Sequence, residues 1–259
     1  MLPVSIIACT YGRARCLSEL LECYLQQIYT GPSELMVLND FGGQVFMASG
    51  LERLKPNQQV NFINEPDRYP SLGDKRNAAV ERASYEHFLF VDDDDLFLPW
   101  YLNTTITAYE AWGLPTWPTS HYFASGRAEK LTMSLKRSSH PASYMMSKAQ
   151  FAQIGRYPFV YAGGDQMLRT KVHKEFSCEA AKNPTKVEAG YIYRWNNNVY
   201  HISGSSQHDT AWIRTEQSLL RRIKSKQEPT GIVTVQPSWE SDYKAIADDA
   251  LARSGHDRQ

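Results

Sequence analysis

Four consecutive aspartates, Asp92, Asp93, Asp94 and Asp95, directly follow the apolar run Phe88-Leu89-Phe90-Val91. Carboxylates packed this closely repel one another, and burial adds a desolvation cost, so the cluster calls for a compensating cation. Oxygen ligands suit Mg2+ or Mn2+, which commonly bridge one or two protein carboxylates to substrate phosphates. In extended chain alternate residues share a side, which aims Asp92 and Asp94 together and turns Asp93 and Asp95 aside to cap the next segment. The plainer alternative is an acidic loop whose Asp95 favours the positive end of a helix after Leu98-Pro99. A second charged group, Lys75-Arg76-Asn77, sits near the start of a helical pattern. Helix N-terminal amides favour phosphate, and Arg76 is the candidate anion contact there, whereas Lys75 reads equally well as a solvated helix position.

The elements that position these groups alternate between short apolar runs and helical periodicity, the signature of βαβ units on a mostly parallel sheet. Residues 4–9 read as a first buried strand. Leu17, Leu20, Leu21, Tyr24, Leu25 and Ile28 then follow helical spacing until Gly31-Pro32. Strands are expected at 34–38, 59–63 and 87–91, with a helix at about 74–83 before the last of them. In open α/β sheets ligands sit outside the carboxyl ends of the strands, so the loops at 10–13, 39–42 and 92–95 should face one crevice. Further on, strands are expected near 117–123, 130–135, 142–146, 191–195 and 199–202, and helices up to Ile154, at 165–176 and at 212–223. After Lys224 the chain turns polar, and 238–251 reads as a loosely attached terminal helix.

The 259 residues suffice for one large α/β domain. Lys plus Arg and Asp plus Glu both number 28, so no general field draws the chain to nucleic acid or an anionic membrane. No apolar run reaches the roughly 20 residues of a membrane span, and a soluble, cytoplasmic protein is expected. Cys9, Cys16, Cys23 and Cys178 form no CxxC pair and read as reduced packing residues.

Taken in order, the run from Ser5 through Thr10, Tyr11, Gly12 and Arg13, the segment from Glu34 to Gly42, the Arg-Asn pair after Gly73, and the stretch from Phe88 to Pro99 resemble a family 2 glycosyltransferase of the GT-A fold. The resemblance implies an α/β, Rossmann-like, mostly parallel central sheet flanked by helices, with a smaller mixed sheet on the acceptor side. It implies a donor-binding half at 1–100, an acceptor and catalytic half at 101–225, and a polar, helical tail at 226–259. The aspartates then match the DXD motif, with Asp92 at the donor's ribose and Asp94 on the divalent cation. Thr10 and Tyr11 border the base, and a carboxylate at the second strand's end reads it, although here Asn39 stands where an aspartate is usual and Asp40 follows. The expected donor-contact set is Thr10, Tyr11, Arg13, Asn39, Asp40, Arg76, Asp92 and Asp93, and uridine is the default base.

Inverting transfer requires a base for the acceptor's proton. Asp165 is the candidate, since it follows Gly163-Gly164, where backbone approaches a ligand closely, and opens a helix as the family's acidic pair does. The family's usual Glu-Asp is Gly-Asp here, and a helix N-cap is the alternative role. Tyr193-Arg194-Trp195 and His201 resemble the segment that closes over the donor, where His201 completes the Mn2+ or Mg2+ shell, with His208 as fallback. The implied partners are a nucleoside diphosphate sugar and an acceptor hydroxyl on a glycan, a protein or a modified nucleic-acid base. The competing classes are a nucleotidyltransferase that makes the nucleotide sugar and a non-catalytic binding relative.

Overall fold

The computed structural model describes residues 1–118, 120–125, 131–136, 143–160, 163–176, 189–195 and 209–253. Its first part comprises β1 (Val4–Thr10), α1 (Ala14–Leu25), β2 (Ser33–Asn39), β3 (Gln44–Ala48), β4 (Gln58–Asn64), α2 (Leu72–Arg82) and β5 (His87–Asp92). There follow β6 (Leu96–Phe97), α3 (Tyr101–Trp112), β7 (His121–Ser125), β8 (Thr132–Lys136), β9 (Met145–Ser147), α4 (Lys148–Gln153) and α5 (Gly164–Phe176). The described elements end with β10 (Tyr191–Trp195), α6 (Asp209–Lys224), β11 (Gly231–Val235) and α7 (Tyr243–Arg253).

The central sheet runs β4-β2-β1-β5-β9, parallel except for the β5–β9 pair. Both of its faces are covered, and successive side chains divide between them. Val4, Ile6 and Ala8 join one core with Leu17, Leu20, Leu21 and Tyr24 of α1. Ile7 joins a second core with Ala79 and Val80 of α2 and Leu168 and Val172 of α5. In β5, Leu89 and Val91 go to the first core, Phe88 and Phe90 to the second. Each such side chain contributes roughly 1.5–3 kcal/mol on burial, which pins the register of the strand that ends in the aspartates. A mixed four-stranded sheet, β6-β10-β7-β8, lies beyond that end.

Helix starts are set locally. Ser71 caps α2 by accepting from the Asp74 amide at 3.0 Å, and Ser147 with Gln150 forms a reciprocal capping box on α4. The expected helix at 74–83 therefore begins two residues earlier, at Leu72. β7 lies at His121–Ser125 rather than 117–123, because Trp117 turns into the second core instead of extending the strand. The strand expected at 199–202 lies outside the described residues.

Among the elements that were not expected, two find each other. β3 and β11 pair in parallel as a separate two-stranded sheet, with Val45, Met47 and Ile232 exposed. The expectation of a loosely attached C-terminal helix is also corrected: Tyr243, Ala247 and Ala250 of α7 are buried in the first core. Free Cys23 is buried and free Cys9 partly buried, and desolvation pushes their thiols up to about 12 and about 11 respectively, as suits packing residues. No helix among the described residues is long and apolar enough to cross a membrane.

Candidate active site

The parallel register aligns Thr10 with Asn39, Asn39 with Asn64, and Cys9 with Asp92, so four strands end on one rim. At Asp92 the extended chain stops and turns back, with the Asp95 amide 3.2 Å from the Asp92 carbonyl. The expected alternation therefore holds for Asp92 and Asp94 but fails at Asp95, since period two applies only to extended backbone. Asp92, Asp94 and Asp95 each offer a carboxylate oxygen within 4.8 Å of the others. Asp93 instead points its Oδ1 to Arg13 Nη1 at 3.2 Å. Ligand oxygens sit roughly 2.1 Å from Mg2+, so the first three need little movement to share one ion.

Burial raises the Asp92 carboxyl to about 7, against the opposing pull of Arg76, with Asp165 and Asp94 adding to the rise. Burial also lifts Asp93, despite Arg13, and lifts Asp95 well above the carboxylate range with help from Asp94 and Asp92. Burial and mutual repulsion disfavour charge on these carboxylates unless a cation compensates it, so the donor set fits a divalent ion chemically as well as spatially.

Three arginines frame the cluster. Arg13 Nη1 lies 2.8 Å from Asp94 Oδ2. Arg76 Nη2 lies 3.0 Å from Asp92 Oδ1, and its Nη1 donates to Asp165 Oδ1. Arg194 donates its backbone amide to Asp95 Oδ1 at 2.9 Å and its Nε to the Asp94 carbonyl, while its Nη1 pairs with buried Glu19. Tyr191 donates to Asp95 Oδ2 at 2.7 Å. Asp95 is thus tied to β10 and does not cap the segment after Pro99.

Asp165 lies in the first turn of α5 and shares Arg76 with Asp92, its side chain 23% exposed and that of Asp92 31%. Tyr157 donates to the same Oδ1 at 3.1 Å. Arg76 is buried between the two carboxylates, not displayed on an open helix end. Lys75 is buried as well, correcting the solvated reading: its ammonium donates to Asp40 and to the Thr10 carbonyl.

Asn39 and Asp40 also occupy the rim, but their side chains are engaged by the protein. The Asn39 amide donates to the Gln44 carbonyl at 3.0 Å and to Asn64 Oδ1 at 3.3 Å, and its own oxygen accepts from the Phe41 amide. Asp40 accepts from Lys75 and, at 3.0 Å, from the Tyr69 amide. Both head groups thus brace the rim itself, Asn39 across the turn to Gln44 and Asp40 against α2. Thr10 is buried at the end of β1. Tyr11 packs edge-on against Phe41 at 5.3 Å and lies under the Arg68 guanidinium at 4.1 Å. α6 closes over this loop: Glu216 pairs with Arg68 at 3.3 Å, and a Cβ on Gly12 would fall 2.4 Å from Leu219. His201 and His208 lie outside the described residues.

Sequence reasoning named Arg194 only as part of Tyr193-Arg194-Trp195, with no role of its own, and did not single out Tyr157 or Arg68. A lone arginine in the otherwise apolar and aromatic strand Tyr191-Ile192-Tyr193-Arg194-Trp195 was the available signal for the first. Nothing local marks the other two.

The family described as Glycosyl transferase family 2 matches residues 5–176. A Bacillus subtilis (strain 168) protein named as an uncharacterized glycosyltransferase, YwdF, is 32% identical over 102 residues, 39% of this chain and 36% of that protein. The match thus spans little more than a third of that relative's length. Among solved structures, S. aureus TarS 1-349 in complex with UDP-GlcNAc is similar with a TM-score of 0.55, at 14% identity, over 97% of this chain and 72% of that one. TarS 1-349 in a second structure gives 0.51 at 15% identity, over 97% and 71%. At these identities the likeness bears on the fold, and it agrees with the expected GT-A architecture.

Proposed function

This chain belongs to glycosyl transferase family 2, and on that premise we propose that it moves a sugar from a nucleoside diphosphate sugar, UDP-linked by preference, to an acceptor hydroxyl with inversion. The observation that supports the reading is the guanidinium of Arg76, which touches both Asp92 of the aspartate run and Asp165 at the start of α5.

Asp92, Asp94 and Asp95 hold a divalent cation, Mn2+ or Mg2+, with His201 as an additional ligand. When bound, that ion supplies Lewis-acid stabilisation of the leaving diphosphate. Thr10 and Tyr11 border the base, Asp92 and Asp93 complete the acidic wall, and Arg13 and Arg76 turn positive edges toward the phosphates. Arginine suits this task because its planar fork matches phosphate geometry. Asp165 accepts the acceptor's hydroxyl proton as that oxygen bonds to the anomeric carbon and the carbon–oxygen bond to the diphosphate breaks. The proton ends on Asp165 and the electron pair on the nucleoside diphosphate. Residues 1–100 supply most of the donor contacts and 101–225 the base and the acceptor surface. The acceptor hydroxyl belongs to a glycan, a protein or a modified nucleic-acid base.

The test needs no known acceptor, because water replaces it in slow donor hydrolysis. With Mn2+ present, the wild type should release nucleoside diphosphate from a UDP-sugar. Asp165→Asn should lower the rate by roughly a hundred-fold or more while leaving donor affinity nearly unchanged. Undiminished release by that variant would remove Asp165 from the base role.

A further inference from the structure

Oδ1 of Asp165 has two donors, Arg76 and Tyr157. Only the first belongs to the motif that singled out the crevice. Tyr157 is nearly fully buried and is fixed on every side that could let it drift. Its ring packs edge-on against Phe90 at 5.5 Å and tilts against Phe151 at 5.8 Å, and the Arg76 guanidinium sits over it at 5.1 Å from the centroid. Its backbone is clamped by one side chain of α2: the Asn77 amide donates to the Tyr157 carbonyl at 3.1 Å, and Asn77 Oδ1 accepts from the Tyr157 amide at 3.0 Å. The segment after Tyr157 also lies against the start of α2, where a Cβ on Gly73 would meet the Pro158 carbonyl oxygen at 2.0 Å. A buried phenol held this tightly, with a single carboxylate oxygen as its acceptor among the described residues, is expensive to orient unless the orientation serves the carboxylate.

The geometry points to Tyr157 as a positioning residue for Asp165: its hydroxyl, with Arg76, engages Oδ1 and thereby commits Oδ2 to the acceptor's proton. The inference rests on the reading of Asp165 as the base. It also gives the Lys75-Arg76-Asn77 segment a joint purpose, with Arg76 on the carboxylate and the ring, and Asn77 on the backbone that carries the ring. Burial holds the Tyr157 hydroxyl well above the usual phenol range, which favours its protonated, donating form.

The experiment is a mutant cycle on the full chain, read as nucleoside diphosphate release from a UDP-sugar with Mn2+. Tyr157→Phe removes one oxygen and keeps the ring. It is expected to lower kcat by roughly ten-fold, the size of one lost hydrogen bond to a charged group, with KM for the donor unchanged. In an Asp165→Glu background, whose longer side chain displaces the carboxylate from the phenol, Tyr157→Phe should cost much less, because the two groups act as one unit. Should Tyr157→Phe fold poorly, Asn77→Ala is expected to show the same fall in kcat at constant KM. Full kcat in Tyr157→Phe, or an equal loss in both backgrounds, overturns the positioning role while leaving the base intact. Turnover that survives Asp165→Asn overturns the base reading instead, and this inference with it.

Discussion

Asp92, the last residue of β5, and Asp165, the second residue of α5, share the guanidinium of Arg76. On the proposed reading these carboxylates have separate tasks, Asp92 toward a cation and a leaving group and Asp165 toward an incoming hydroxyl. Five carboxylates, Asp92 to Asp95 and Asp165, face Arg13, Arg76 and Arg194, and the last is already paired with Glu19. That excess of negative charge shapes how the protein should respond to pH and to metal.

Stability should depend on both together. The folded-state pKa of Asp92 is raised to about 7, and those of Asp93 and Asp95 are raised as well. The folded protein therefore binds more protons than the unfolded chain between about pH 4 and pH 7, and the cluster's contribution falls as pH rises through that window. A divalent cation competes with those protons, so added Mn2+ should raise Tm more at about pH 7.5 than at about pH 5.5. Differential scanning fluorimetry at the two pH values checks it, and an equal shift at both speaks against coupled protons.

Asn39 offers a test of why an amide stands where the family usually has an aspartate. Its Nδ2 donates to carbonyl oxygens of the turn it braces. Asn39→Asp removes that donor and sets a buried carboxylate against acceptors, at a cost of about 2–4 kcal/mol. Urea denaturation should show that loss, and the variant should gain no affinity for UDP. A stable variant with tighter UDP binding would mean the position reads the base after all.

Gly73 sits in the first turn of α2, where Ala is favoured intrinsically by about 1 kcal/mol. The added Cβ would lie 2.0 Å from a backbone oxygen, Pro158 O, which no rotamer change relieves. Overpacking of this kind costs typically 1–3 kcal/mol, so Gly73→Ala should be net destabilising and should lower turnover by shifting the segment that carries Tyr157. An unchanged Tm would show that this segment gives way freely.

α7 reaches the cluster through a chain of contacts. Tyr243 donates to Glu19 Oε1, Glu19 Oε2 pairs with Arg194, and Arg194 holds the Asp94 carbonyl. Tyr243→Phe should lower stability by roughly 1–2 kcal/mol. Mn2+ affinity should fall only a few-fold, less than the roughly ten-fold typical of groups that touch a metal ligand directly. Titration calorimetry reads the second effect, and unaltered Mn2+ affinity would confine the relay to folding.

The alternating sheet was legible because burial on both faces leaves a continuous apolar run, as in Phe88 to Val91, and the rim loops follow from it. Asp92, Asp94 and Asp165 stood out as candidates for the same reason: their types and their places after strands or before a helix are local facts. Asp95 was misplaced because a turn replaced extended chain within two residues. Lys75 read equally well as a solvated helix position because its pairing with Asp40 is visible only once α2 is packed on the sheet. β3 and β11 escaped notice because each is short and half exposed and finds its partner far along the chain. Tyr157 carries no signal of its own, since a phenol in an aromatic core looks like any other until Asp165 is beside it.

The most direct measurement is binding of UDP-sugars by calorimetry, with and without Mn2+, to the wild type and to Asp94→Asn. The expected result is donor binding that strengthens markedly with Mn2+ and loses that dependence when Asp94 is changed. Failure of every UDP- and GDP-sugar to bind, or binding that ignores both the metal and the substitution, would contradict the assignment of this rim to a cation and a sugar nucleotide.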